Sequence, residues 1–141
     1  MAQFELQHFF DAQEPVYGQI RSELAAGAKT SHWIWFVFPQ LQGLGRSGMA
    51  VKYEIVSRHE ATAYWQHAIL GTKLKECVEL VLAVKGKTAF QILGTPDDLK
   101  FRSSMTLFAH AVLDEPVFRR ALAKYFDGRD DSRTMELLAR S

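Results

Sequence analysis

The 141-residue chain holds one cysteine, Cys77, and four prolines. A single thiol excludes an intramolecular disulfide framework and a cysteine-rich zinc site. Charge of one sign is also missing: 17 lysines and arginines stand against 16 acids, for a net charge of +1. No strong basic footprint for duplex nucleic acid is present, though a local patch is not excluded. The longest apolar run, Trp33 to Phe38, is far short of the ~20 residues that span a bilayer. The first residues, MAQFELQHFFDAQ, contain acids and no lysine or arginine, unlike a secretory leader. A cytoplasmic protein is the expectation. Internal repeats, low-complexity runs and linker-like stretches are absent too, so one domain over residues 1–141 is expected.

What is there is apolar content. Hydrophobic residues make up 48% and charged residues 23%, which excludes wholesale disorder. A chain of this size buries roughly 70% of its unfolded surface. Most segments carry a period near 3.6. Val16, Ile20 and Leu24 recur behind Pro15, a good first-turn residue. Ser57 with Glu60 has the form of a capping box and opens a segment bearing Ala61, Tyr64 and Trp65. Leu74, Cys77, Val78, Val81 and Leu82 predict an amphipathic helix ending near Gly86. Thr95, Pro96 and Asp98 read as N-cap, N1 and N3 of the next helix, with Phe101, Met105, Phe108 and Val112 as its apolar stripe. Pro116 opens another, and Asp131 or Ser132 caps a last one. The Trp33–Phe38 run favours a strand by propensity. No second run is available to pair with it, and an unpaired strand leaves its backbone unsatisfied. A short buried helix is therefore predicted. The expected fold is mainly α, a single compact domain of about six to eight helices with no substantial sheet.

Three polar segments are candidates for function. Gly43-Leu44-Gly45-Arg46-Ser47-Gly48 matches G-x-G-x-x-G in letters. The dinucleotide fingerprint needs a strand before it and a helix opening at the motif; here Pro39 and helical neighbours intervene. A flexible inter-helix loop remains, or an anion-binding one in which Arg46 and Ser47 join the backbone amides of Gly43 and Gly45. The second segment is Lys100, Arg102, Ser103, Ser104 and Thr106. Either it is a solvated helix face, or these groups face a cleft and bind a phosphate or carboxylate. Ser103 and His110 lie roughly 10 Å apart along one helix, too far for a nucleophile–base pair. The third is His32 with the aromatic run: a half-buried histidine is the plain reading, and an acid–base or donor group is the functional one. Trp33 or Trp35 could offer a ring at a cleft wall, and Gln40 both a donor and an acceptor. Of the five histidines none forms a close chelating pair; His59 and His67 stand roughly 12 Å apart if helical. No metal site and no cofactor are indicated. Among carboxylates, Glu60 and Asp98 are the catalytic candidates beside His32, although capping alone accounts for both.

Ser31-His32-Trp33-Ile34-Trp35-Phe36-Val37-Phe38-Pro39-Gln40, Gly43-Leu44-Gly45 with Ser47, and Ser103-Ser104-Met105-Thr106-Leu107-Phe108 resemble the signature blocks of the uncharacterised bacterial DUF-1810 family, whose members are often automatically labelled calpastatin. The resemblance spans nearly the whole chain. It implies a single mainly helical domain and no established activity, so it assigns no catalytic residue. Ala68 and Leu93 depart from residues common in the family, outside the polar blocks. The resemblance also makes one pocket shared by the three segments a sharper expectation.

Two functions follow. In the first, a cleft binds a small anionic ligand, phosphate-bearing and nucleotide- or ADP-ribose-like. Arg46, Lys100 and Arg102 meet the phosphate, and hydrolase or transferase chemistry uses His32, Glu60 or Asp98. In the second, the chain is a non-catalytic interaction module with an exposed aromatic surface that includes Phe4, Phe9 and Phe10. Single-stranded nucleic acid ranks last because charge is balanced. No membrane partner is expected, and a homo-oligomer stays open.

Overall fold

The 3.6-residue stripes fold as helices in the computed structural model, which describes residues 4–140. α1 (Gln7–Gln13) passes through a single 3-10 turn at Glu14–Val16 into α2 (Tyr17–Ala25). Two short helices follow, α3 (Ile34–Val37) and α4 (Gly48–Lys52). Then come α5 (Arg58–Gln66), α6 (Leu70–Ala83), the short α7 (Ala89–Leu93), α8 (Asp97–Ala111), α9 (Val117–Phe126) and α10 (Ser132–Arg140). Seven of these ten helices have seven or more residues. The six to eight expected match these; the remainder are single-turn pieces that periodicity does not resolve. One isolated parallel bridge, Leu41 to Ile55, ties the loop after α3 to the connection between α4 and α5. Trp33–Phe38 is helical, as its lack of a pairing strand requires.

The starts of the helices show how local sequence acts. Ser57 Oγ accepts from Glu60 N, while the Glu60 carboxylate reaches Val56 N at 2.8 Å, not the Ser57 amide. A complete capping box lies instead at Thr88 and Gln91. Asp131 Oδ2 accepts from Thr134 N at 2.9 Å and so starts α10. For α8 the expected Thr95 cap is corrected. Pro96 occupies the N-cap position, no side chain bonds there, and the Thr95–Pro96 peptide is cis.

α8 is the central element, in contact with α3, α5, α7, α9 and α10. It is buried all round from Ser103 to Ala109. Ser104 and Thr106 are both 0% exposed. Neither a solvated face nor an open cleft wall exists there. The hydroxyls turn onto the helix itself: Ser103 Oγ donates to Leu99 O, and Thr106 Oγ1 donates to Arg102 O. The N-terminal aromatics also differ from expectation. Phe9 is fully buried against Tyr53 and Tyr64, and Phe10 is half-buried under Lys73. Burying them completes the core, and a patch built on Phe9 is not open to a partner.

Candidate functional site

Between the loop leading into α3 and the first turn of α8 lies a hollow of about 370 Å³. Lys29, Ser31, His32 and Trp35 form one wall. Leu93, Pro96, Asp97 and Lys100 form the other. Each wall is held from behind. Lys29 N donates to Ile92 O at 2.8 Å and its ammonium donates to Ser31 O at 2.6 Å. The same ammonium meets Asp97 Oδ2 at 2.6 Å, with the lysine side chain 5% exposed. Such a pair sits in low dielectric and locks the loop to α8.

The free groups of the hollow are cationic or donors. The Lys100 ammonium stands 5.1 Å from the centre of the Trp35 ring, and no carboxylate pairs with it among the described residues. The Trp35 indole N–H is buried with no hydrogen-bond partner among the described residues. His32 is exposed, with no bonded partner among the described residues. A buried donor left unpaired costs about 1–3 kcal/mol. An acceptor brought by a ligand recovers that cost.

The other candidates lie elsewhere. Trp33 is 2% exposed and spends its indole N–H on Glu23 Oε1 at 3.0 Å, so its ring cannot stack on a ligand in this hollow. Gln40 does not line it; its carbonyl accepts from Ile55 N. The glycine segment stays outside as well. Gly43 adopts φ 100° with Leu137 of α10 beside it, and a Cβ on Gly45 would collide with the Ala50 methyl. Ser47 Oγ caps α4 through Ala50 N at 3.1 Å, and Arg46 is exposed with no partner among the described residues. Chain geometry alone therefore accounts for these glycines. Arg102 donates to the carbonyls of Arg129 and Asp130, both at 3.1 Å. Ser103, Ser104 and Thr106 are interior, the Glu60 carboxylate is taken by the Val56 amide, and Asp98 is half-buried with Oδ1 unpartnered among the described residues. Burial raises the Glu60 carboxyl above its ordinary range, against the pull of the Val56 amide. Two of the three expected segments meet, and the glycine loop is not with them.

Sequence reasoning missed Glu23 and Lys29. Glu23 sits on the inward stripe with Ile20 and Leu24, an unusual register for an acid and the one signal available. Larger concavities are not the better site. The hollow of about 480 Å³ around Trp65, Gln66 and Thr72 has its lysine and one glutamate already paired, Lys75 to Glu115 and Glu76 to Arg21.

No helix among the described residues is long and apolar enough to cross a membrane. No curated protein matches the chain. Among solved structures it is similar to the conserved hypothetical protein Rv1873 from Mycobacterium tuberculosis, determined at 1.38 Å. The two are 54% identical, with a TM-score of 0.95 over 96% of this chain and 97% of that one. Residues 3–138 match the family model DUF1810, described as a protein of unknown function, and the chain belongs to that family.

Proposed function

We propose that this chain binds a small phosphate-bearing molecule in the hollow between the His32 loop and the first turn of α8. One observation carries the reading: among the described residues Lys100 has no anionic partner and lies over Trp35, whose buried indole N–H is also unspent. Exposed lysines are common. This one is held against a ring beside an orphaned donor, at the edge of a hollow of about 370 Å³, large enough for a small ligand. A phosphate takes the place of the missing carboxylate, and the flat walls of Trp35 and Pro96 suit a ring-bearing ligand such as a nucleotide. Should a bound phosphate ester or glycosidic bond be cleaved or transferred, His32 is the imidazole at hand; Glu60 and Asp98 do not line the hollow.

Titration with AMP, with inorganic phosphate as the ringless comparison, tests this. Saturable binding of AMP, weakened about tenfold in Lys100→Ala, is expected for loss of one charge-assisted contact. No binding of either, or equal binding by the variant, overturns the reading.

The interaction-module reading keeps one supporting observation. Phe90 and Leu99, on two helices that frame the same hollow, are 57% and 55% exposed. Concentration-dependent dimerisation abolished by Phe90→Ser would favour it over ligand binding.

A further inference from the structure

We infer that Glu23, which never reaches the hollow, is the positioning residue of the anion site through the loop that carries His32; the inference rests on the function proposed above. A carboxylate 7% exposed is costly unless its oxygens are bonded. No cation pairs with it among the described residues. Its partners are neutral donors, and nearly all come from one stretch of chain. Thr30 N and Ser31 N donate to Oε1 at 2.9 and 3.0 Å, and the Trp33 indole donates to the same oxygen at 3.0 Å. Ser31 Oγ donates to Oε2 at 2.5 Å, and Gln19 Nε2 donates to it at 3.0 Å.

The loop from Ala26 to Trp33 has no helical or sheet ladder of its own. Its backbone donors must be satisfied from elsewhere; backbone carbonyls take those of residues 26–29, and the Glu23 carboxylate takes those of Thr30 and Ser31. The consequence is positional. With its amide and hydroxyl fixed on Glu23, Ser31 presents its carbonyl to Lys29. Lys29 then reaches Asp97 at the start of α8. His32 stands between Ser31 and Trp33, both tied to the same carboxylate, and so is aimed at the mouth of the hollow. Burial alone would raise this carboxyl, but the bonds from Ser31, Thr30 and Trp33 outweigh it and hold it well below the usual carboxylate range. The anchor therefore stays charged near neutral pH.

The test compares AMP binding in the wild type, Glu23→Gln, Ser31→Ala and Ile20→Val. The last loosens the same helix without touching the hub. NMR of the His32 ring reports its position directly. Glu23→Gln is expected to weaken AMP binding about tenfold, a typical cost of misplacing a contact group. It also abolishes the AMP-induced shift of the His32 resonances. Ile20→Val is expected to bind as wild type despite its lower melting temperature. Where Glu23→Gln does not fold, Ser31→Ala carries the test, with a smaller loss of affinity in the same direction. Wild-type protein that fails to bind AMP overturns the proposed function. Wild-type binding with unchanged affinity and unchanged His32 shifts in Glu23→Gln, or in Ser31→Ala where that variant stands in, overturns only the role of Glu23.

Discussion

The two ends of α8 carry similar polar residues and use them differently. Toward the C-terminal end the charged groups facing the α9–α10 connection are paired with one another. Asp130 receives Arg119 at 2.8 Å and meets His110 Nε2 at 3.0 Å. Arg102 grips the backbone of residues 129 and 130, and Thr106 Oγ1 accepts from Asp131 N at 2.9 Å. Together they fasten the α9–α10 connection to the central helix. At the N-terminal end, among the described residues, Lys100 has only the Trp35 ring, and the indole N–H has no partner. Polar groups that hold a fold together are consumed by it. Groups that serve a ligand are left unspent, and their desolvation is offset only on binding.

Substitutions at the two ends should separate stability from binding. The largest effect is expected for Thr106→Val, which keeps the shape and leaves the Asp131 amide unpaired. It should lower stability by about 2 kcal/mol in denaturant unfolding, with AMP affinity intact. Lys100→Ala is expected to do the reverse, weakening AMP about tenfold at an unchanged melting temperature. A drop in stability there would erase the contrast between the ends.

Asp130→Asn sharpens the contrast through pH. Burial would raise this carboxyl, but the His110 and Arg119 bonds hold it below the ordinary aspartate range. Its contribution is fully present above the unfolded-state pKa and is lost as pH falls through the depressed folded value. The variant should therefore be less stable by about 1 kcal/mol near neutrality, a value discounted for partial exposure. It should converge with the wild type as the pH drops below the usual aspartate range. The smallest effect belongs to Ser104→Ala. The Ser104 hydroxyl is buried without a partner among the described residues, so its removal should leave the melting temperature unchanged or slightly higher.

Much of the architecture was legible in the chain. The stripes of α2, α6 and α9 follow from spacing alone, and the Trp33–Phe38 helix follows from the absence of any strand to pair with. α8 misled for a physical reason. A polar stripe in sequence signals solvent only when the hydroxyls face it, and here Ser103 and Thr106 bond to their own helix inside a ring of five others. Of the candidate site, His32, Trp35 and Lys100 were legible as chemistry-bearing groups, and the structure places them around one hollow. Arg46 and the glycines were equally prominent as letters, yet the geometry of Gly43 and Gly45 serves the turn and Arg46 lies outside the hollow. Glu23 and Lys29 were not legible, because their partners, at Ser31, Trp33 and Asp97, are brought to them only by tertiary folding.

The central claim is that the unspent donors around Trp35 receive an anionic ligand. The side-chain indole N–H signals of Trp33, Trp35 and Trp65, followed by NMR during an AMP titration, test it most directly. The Trp35 signal should move with saturation while that of Trp33, bonded to Glu23, holds still. A Trp35 signal that does not respond, or a response confined to Trp65, would contradict the account.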